Sequence, residues 1–223
     1  MSATKSAPLP PIVETLSKAR QESFLQATLE EHYKKNAVLF RQGDEADYFW
    51  IVLEGWVHLV RSPSAHDHAR AVVLFTITPR EALCGISALG TGRYNMSAVA
   101  GTACRVLRIP AETFNAALAA EPAFAYHALR LCARRMQKIA EQYGSMAEPV
   151  LQRIIRTLLR LQEQFGDTLP VTHRELAQMS WTTTESAIRT VRALKRRRCL
   201  TGRRGKLTIT RAERLEQFLH HDG

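Results

Sequence analysis

The 223-residue sequence contains no apolar run long enough to cross a membrane. Its longest apolar runs are Tyr48–Leu53 and Ala71–Phe75, whereas a membrane-spanning helix needs about 20 apolar residues. The N-terminal segment MSATKSAPLPP also lacks the apolar core of a signal peptide. These absences argue against membrane insertion and secretion, and they predict a cytoplasmic protein.

Cysteines are few, and none of them forms a metal-binding pattern. Cys84, Cys104, Cys132 and Cys199 are too far apart in sequence for a CxxC motif or a zinc knuckle. No cysteine precedes Cys84, so an N-terminal iron–sulfur cluster is excluded. We predict free thiols in a reducing compartment and no metal site.

Motifs of the common enzyme classes are also missing. The sequence has no P-loop, no HExxH, no GxSxG and no Rossmann glycine pattern. Asp44, Glu45 and Asp47 cluster in one turn, but no histidine or nucleophile is tied to them by spacing. The sequence therefore predicts a binding protein and not an enzyme.

Positive charge, by contrast, is abundant in the last third of the chain. Residues 150–223 hold 15 Lys/Arg against 7 Asp/Glu, whereas residues 1–149 hold 16 against 14. Two basic clusters, Lys195–Arg198 and Arg203–Lys206, contribute most to this excess. The asymmetry indicates a polyanion-binding module joined to a nearly neutral domain.

The middle of the chain, from Asn36 to Pro110, has the pattern of a small antiparallel β sandwich or barrel. A short helical stretch is expected before it, within Glu22–Tyr33. Short β-rich runs alternate with turn residues such as Gly43 and Gly55. The predicted strands are Ala37–Phe40, Tyr48–Leu53, Trp56–Val60, Ala71–Thr76 and Cys104–Ile109.

From Ala111 to Met146 the pattern becomes helical. Apolar residues recur there at alternating spacings of four and three, which is the pattern of a coiled-coil seam. Such a seam predicts pairing with a second copy of the chain, and the alternative is packing on the β domain of the same chain. The seam residues are Ala125, Leu129, Cys132, Met136, Ile139, Tyr143 and Met146.

The basic C-terminal segment has the pattern of a winged helix-turn-helix. An amphipathic helix is predicted at Val150–Phe165, and capping boxes at Thr172–Glu175 and Thr182–Glu185 predict two further helices joined by a short turn. The segment Cys199–Ile209 then predicts two short strands around the basic turn Gly202–Lys206.

This arrangement suits the major groove of double-stranded DNA, because the first residues of the second helix would meet the base edges. The alternative interpretations are that Glu185 only closes a capping box and that Arg189 is only a solvated helix residue. The predicted base-reading residues are Thr184, Glu185, Ile188 and Arg189. The predicted phosphate contacts are Thr172, His173, Thr183, Arg192, Arg203, Arg204 and Lys206. A regulatory subunit that never touches DNA is the contrasting class, and both the capping pattern and the charge argue against it.

Three segments together resemble the CRP/FNR superfamily of bacterial transcription regulators: Leu39–Asp44 with Tyr48–Gly55, Cys132–Met136, and Thr184–Arg189. The resemblance implies an α+β fold in which an antiparallel β-roll (a double-stranded β-helix) precedes a long dimerisation helix and a winged helix-turn-helix. The three prolines of the first 12 residues indicate a flexible tail, which we place at 1–20. The remaining expected parts are the sensor roll at 21–110, the dimerisation helix at 111–147 and the DNA-binding domain at 148–223. The resemblance also implies a homodimer, an effector pocket and a contact with RNA polymerase.

The effector pocket departs from that of relatives that bind cyclic AMP. The ribose-binding Glu of those relatives is replaced by Ile86, and their phosphate-binding Arg-Ser pair aligns with Tyr94-Asn95, so that Arg93 lies one residue off. Loss of these charged hydrogen bonds argues against cyclic AMP. The residues that the resemblance assigns to the pocket are Gly85, Ile86, Ser87, Arg93, Tyr94, Asn95, Met136 and Ile139.

The identity of the effector stays open at the level of sequence. One alternative is haem with a diatomic gas, for which the candidate ligands are His32, His58, His127 and the four cysteines. A second is another small molecule, such as a different nucleotide. A third is control without a ligand, by expression level or by oxidation of Cys199, whose arginine neighbours would favour a thiolate if the side chain were exposed.

Overall fold

The computed structural model describes residues 10–62, 72–83, 92–203 and 205–220. The chain divides into two compact units, residues 1–137 and 138–223. The division falls inside the long helix α4, which spans Pro122–Gly144. The domain boundary that the sequence suggests, at 147/148, stays a prediction.

Unit 1 is built on two antiparallel four-stranded sheets. The strand order is β1-β8-β3-β6 in one sheet and β2-β7-β4-β5 in the other. This is the antiparallel jelly-roll fold expected from the sequence. The strands are β1 (Leu29–Tyr33), β2 (Val38–Phe40), β3 (Tyr48–Glu54), β4 (Val57–Arg61), β5 (Val72–Ile77), β6 (Ala82–Leu83), β7 (Ser97–Ala100) and β8 (Cys104–Pro110).

Strand β3 is buried on both faces. Successive side chains of a strand point to opposite sides, and here each side faces a core. Trp50 and Val52 pack in the core between the two sheets. Phe49 and Ile51 pack on the other side, in a second core shared with helices. This arrangement explains the nearly continuous apolar run of Tyr48–Leu53 in the sequence.

The beginning of the described chain corrects two expectations. Residues 10–20 are not a flexible tail: α1 (Pro11–Glu14) and the start of α2 (Lys18–Gln26) pack on the roll, with Ile12, Val13 and Leu16 buried. The predicted helical stretch Glu22–Tyr33 ends early, because residues 29–33 form strand β1. This segment is a strand and not a helix because it pairs with the long strand β8.

The predicted helix 111–147 is two helices. Helix α3 spans Ala111–Ala120, and Glu121 then adopts an extended conformation before Pro122 begins α4. The residue before a proline avoids the helical conformation, which places the break at this position. A short 3-10 turn, Ser145–Ala147, follows α4.

Unit 2 holds the helix-turn-helix and its wing. Helix α5 spans Val150–Phe165, as predicted, and Gly166 with a φ of 70° ends it. Unit 2 also contains a three-stranded sheet of order β10-β11-β9. Its strand β9 is not among the strands that the sequence predicts. The remaining elements are β9 (Thr168–Leu169), α6 (His173–Met179), α7 (Thr184–Arg196), β10 (Leu200–Arg203), β11 (Lys206–Ile209) and α8 (Ala212–His220).

Candidate DNA interface and effector region

The start of α6 has the predicted capping box. The Thr172 hydroxyl accepts a hydrogen bond from the Glu175 backbone N–H at 3.2 Å, and the Glu175 carboxylate accepts one from the Thr172 N–H at 2.7 Å. Both donors would otherwise be unsatisfied at a helix N-terminus. The box fixes where α6 begins and therefore where the following turn lies.

The start of α7 corrects the second predicted box. The N-cap is Thr183 and not Thr182, and its hydroxyl accepts from the Ser186 backbone N–H at 3.2 Å. Glu185 is therefore the second residue of the helix, where it cannot close a box with Thr182. The Glu185 side chain is exposed to solvent.

Helix α7 has one buried and one accessible side. Ala187, Val191 and Leu194 are buried in unit 2. On the accessible side Glu185 and Arg189 are exposed. The Arg189 Nη2 donates to the Ser186 hydroxyl at 3.3 Å, which holds the guanidinium beside the helix N-terminus.

The remaining predicted contacts on α7 lie on or beside the same side. Thr184 and Ile188 are half-buried, and Thr183 and Arg192 are exposed. The structure thus brings together at the first turns of α7 the residues that the sequence selected for base reading.

The wing lies close to the start of α6. Arg203 pairs with Lys206 in the β10–β11 ladder, and a Cβ built on Gly205 would lie 4.0 Å from Thr172 Cγ2. Arg203 and Lys206 are exposed, whereas Arg204 lies outside the described residues. The wing turn and the α6 N-terminus therefore form one patch.

His173, at the start of α6, lies within the field of two cations. Burial lowers its pKa below the usual value, and Lys195 and Arg192 lower it further. At neutral pH the imidazole is therefore uncharged. A neutral ring offers a phosphate a hydrogen bond and not a full charge.

Cys199 does not meet the condition for the redox interpretation. Its side chain is 0% exposed, and its Sγ lies 3.6 Å from the Arg197 carbonyl oxygen. The next residue, Leu200, is the first residue of β10 and is buried as well. An oxidant has no access to it in this conformation.

In the effector region, two adjacent residues point in opposite directions. Tyr94 is 3% exposed, and its ring stacks on Phe40 with ring centroids 3.8 Å apart. Its hydroxyl accepts from Trp50 Nε1 at 3.0 Å and donates to the Tyr48 carbonyl oxygen at 2.8 Å. Arg93 is exposed, and its Nη1 donates to the Gly43 carbonyl oxygen at 2.7 Å.

An aromatic side chain thus occupies the roll interior at the position that the sequence alignment equates with the phosphate-binding arginine. Asn95 beside it is exposed. The other predicted residues of this pocket segment, Gly85, Ile86 and Ser87, lie outside the described residues.

The candidate haem ligands are distributed over separate elements. His58 on β4 is buried, with its Nδ1 3.0 Å from the Thr76 hydroxyl. His32 on β1 is exposed and lies 3.5 Å from Glu30 Oε1. His127 on α4 is half-buried, and its pKa is lowered by burial and by Arg130 and Arg134. Within the described ranges no three metal-ligating side chains converge.

Cys104 and Cys132 complete the candidate ligands that the structure describes. Cys104 is buried in the roll, where burial raises the pKa of its thiol to about 11. Cys132 is half-buried on α4, and Cys84 lies outside the described residues.

The seam of α4 is largely exposed. Leu129, Met136 and Tyr143 are 66%, 69% and 75% exposed, and Ile139 and Met146 are exposed too. Ala125 and Cys132 are half-buried. The alternative prediction, in which the seam packs on the roll of the same chain, is wrong for Leu129 and Met136, because both side chains are exposed.

Other residues of α4 make the contacts with the roll. Phe124 and Ala128 are buried in the core that includes Phe49. Arg135 Nη2 donates to the Ala82 carbonyl oxygen at 2.9 Å. The sequence analysis did not include one further exposed aromatic residue of this helix, Tyr126, which is 64% exposed. It lies three residues before Leu129, and this helical spacing is a signal that could have identified it.

No helix within the described ranges is both long and apolar enough for a membrane span.

Comparisons with known proteins match both units. Residues 30–121 match the cyclic nucleotide-binding domain family, and residues 152–218 match the Crp-like helix-turn-helix domain family. The cyclic AMP receptor protein of Thermus thermophilus is 27% identical over 188 residues, which cover 83% of this chain and 86% of that protein.

Two solved structures share the fold. FixK2 from Bradyrhizobium japonicum superposes with a TM-score of 0.74 at 14% identity, covering 85% of this chain and 96% of that one. The c-di-GMP-responsive regulator CLP from Xanthomonas campestris has a TM-score of 0.68 at 20% identity, covering 87% and 100%.

Proposed function

Because the chain belongs to the CRP/FNR superfamily of DNA-binding transcription regulators, we propose that it is a homodimer that reads an inverted-repeat operator with α7. The observation that carries base reading is the position of the N-cap. Thr183 caps the helix, so Glu185 is not consumed in a capping box. Glu185 and Arg189 then face solvent together, one turn apart on the leading end of the helix.

The chemistry of these two side chains suits base edges. A glutamate carboxylate can accept from cytosine N4, and an arginine guanidinium can donate two hydrogen bonds to guanine O6 and N7. The exposed cations Arg192, Arg203 and Lys206 suit phosphates, which position a protein on DNA without specifying sequence.

The exposed seam of α4 supports the homodimer. Large apolar side chains at 66% to 75% exposure are costly in water, and a second copy of the same helix would cover them. A two-fold dimer presents two recognition helices to half-sites about 34 Å apart, which is one turn of DNA. The operator should therefore be an inverted repeat.

For the effector, we propose a ligand other than cyclic AMP. Tyr94 fills the roll interior, and the Arg93 guanidinium contacts Gly43 at the surface. A cyclic phosphate in that position would meet a phenol ring and not a cation. We propose further that the DNA-bound dimer contacts RNA polymerase. Its role is then regulatory and not catalytic, and it acts in the cytoplasm.

The experiment compares two arginines of the same helix. An operator is first selected with the wild-type protein from random duplex DNA. Arg189→Ala should then lose about 1–3 kcal/mol of binding and relax the preference at one base pair in each half-site. Arg192→Ala removes the same charge and should weaken binding to all sequences, with a salt dependence reduced by about one counterion. Equal losses from Arg189→Ala on operator and random DNA would contradict base reading.

A further inference from the structure

The turn between α6 and α7 contains a strained residue. Trp181 has a φ of 49°, in the left-handed region that glycine favours and that bulky side chains rarely adopt. The turn of a helix-turn-helix often contains glycine for this reason. A tryptophan there needs contacts from outside the turn to hold it in place.

Helix α5 supplies those contacts. Arg153 Nη1 donates a hydrogen bond to the Trp181 carbonyl oxygen at 2.6 Å. One turn further along α5, the Thr157 hydroxyl accepts from the Ser180 hydroxyl at 2.9 Å and donates to the Arg153 carbonyl oxygen at 2.9 Å. Arg153 is half-buried, whereas Thr157 and Ser180 are buried.

The geometry is kept although it leaves polar groups unsatisfied. In the described part of the chain, the buried Arg153 Nε and Trp181 Nε1 have no hydrogen-bond acceptor. Buried donors without acceptors reduce stability. A strained backbone conformation persists only where the surrounding structure holds it, and such conformations cluster at functional sites. The Arg153–Trp181 contact and the buried Ser180–Thr157 pair are thus hydrogen bonds that connect α5 to this turn.

The position of this contact links it to recognition. The Trp181 carbonyl lies two residues before Thr183, which caps α7. If the turn relaxed, the start of α7 would shift together with Glu185 and Arg189. Hydrogen bonds to base edges tolerate only a few tenths of an ångström, whereas long flexible side chains can follow a displaced phosphate.

We propose that Arg153 is a positioning residue for sequence recognition, which holds the left-handed turn at Trp181 and thereby sets the depth and angle of α7 on DNA. The proposal rests on the proposed reading of bases by α7. It assigns Arg153 no contact with DNA, and it predicts a loss of sequence preference and not of general DNA affinity.

The test compares Arg153→Met with Arg156→Met. Arg156 lies on the same helix and is exposed, with its Nε 2.9 Å from Glu148, so both variants lose one positive charge from α5. Binding is measured on the selected operator and on random duplex at one salt concentration. Arg153→Met should lower the ratio of the two affinities by about tenfold, the loss expected for one charge-assisted hydrogen bond. Arg156→Met should leave the ratio unchanged.

A conservative variant separates positioning from folding. Arg153→Lys keeps a cationic donor for one carbonyl and should recover most of the ratio. A purely structural role for Arg153 would reduce the folded fraction and lower both affinities together, without a change in their ratio. Thermal unfolding of each variant measures that fraction.

A second variant keeps the test valid if Arg153→Met folds poorly. Glycine adopts a positive φ without strain, so Trp181→Gly should make the turn less dependent on its anchor. The double variant Arg153→Met/Trp181→Gly should then keep more sequence preference than Arg153→Met alone. An unchanged ratio in Arg153→Met, or an equal loss in the single and double variants, would overturn the proposal. A wild-type protein without any sequence preference would instead overturn the proposed function.

Discussion

The Tyr94 side chain lies in the interior of the roll, where it is 3% exposed. Its ring stacks on the buried Phe40, and its hydroxyl connects Trp50 Nε1 with the backbone carbonyl of the half-buried Tyr48. The neighbouring Arg93 is exposed, and its Nη1 donates a hydrogen bond to the Gly43 carbonyl oxygen at 2.7 Å. The roll interior therefore holds a phenol ring at this position, and the neighbouring guanidinium is at the surface.

Removal of the Tyr94 hydroxyl should destabilise unit 1. Tyr94→Phe leaves Trp50 Nε1 buried without this acceptor, and we expect a loss of about 1–3 kcal/mol in the free energy of unfolding. Urea denaturation measures it. The matched control is Tyr126→Phe, an exposed hydroxyl whose loss should change stability by less than about 0.5 kcal/mol. Equal effects of the two variants would show that the Tyr94 hydrogen bonds contribute little.

At the scale of elements, α4 has one face that packs on the roll and one face that is exposed. Phe124, Ala128 and Arg135 contact the roll, whereas Leu129, Met136 and Tyr143 are exposed. Both helices that meet at the break beside Glu121 bury residues in the same core, Phe114 from α3 and Phe124 from α4. Ser17 Oγ and Arg20 Nε both contact the Glu121 carboxylate, at 2.7 Å and 3.1 Å, so α2 is attached to this break.

A charge on the seam should separate the proposed dimer. Met136→Glu would place two carboxylates near each other across the two-fold axis, and we expect at least a tenfold rise in the dimer dissociation constant, or about 1.4 kcal/mol. Gln137→Glu adds the same charge beside the seam and is the control. Sedimentation equilibrium measures both. A dimer that tolerates Met136→Glu as well as Gln137→Glu would place the interface elsewhere.

The cysteine on the same seam offers an independent measurement. In a parallel two-helix seam each residue at an a or d position faces its own counterpart. Mild oxidation should therefore link Cys132 to Cys132 of a second copy, whereas Cys132→Ser should abolish the covalent dimer. Cys104 and Cys199 are buried and should not contribute.

At the scale of the whole molecule, positive charge is distributed unevenly along the chain. The basic excess lies in residues 150–223, which include the helix-turn-helix and the wing, whereas the residues before them are nearly balanced. Positive charge favours the approach of the C-terminal segment to DNA, and the effector that we propose for the roll would act elsewhere in the chain. DNA binding and the proposed effector binding can therefore be tested by separate titrations.

Cyclic AMP should not bind the intact protein. A ligand at about 100 times its Kd raises the free energy of unfolding by about 2.7 kcal/mol, so a cyclic AMP titration followed by thermal unfolding is a sensitive measurement. We expect no shift, because Tyr94 and not a cation faces the roll interior. A stabilisation of that size, together with tighter operator binding, would contradict this prediction.

Titration of the same protein with haem distinguishes the remaining alternatives. Stoichiometric uptake with a sharp Soret band would identify a haem-based sensor, and His58→Ala and His127→Ala would then locate the ligand. Absence of uptake would favour another small molecule or control without a ligand. Oxidative control through Cys199 is disfavoured by the burial of its thiol.

The sequence by itself determined the features that depend on local pattern. The Thr172–Glu175 capping box, the bounds of α5, the strands of the wing and the antiparallel character of the roll follow from spacing and turn residues. Only tertiary structure decided the rest. Thr182, Thr183 and Thr184 are equivalent as caps in sequence, and the preceding turn selects Thr183. Long-range packing buries Cys199 and Tyr94, turns residues 29–33 into a strand, and holds Trp181 in a conformation that no local propensity favours.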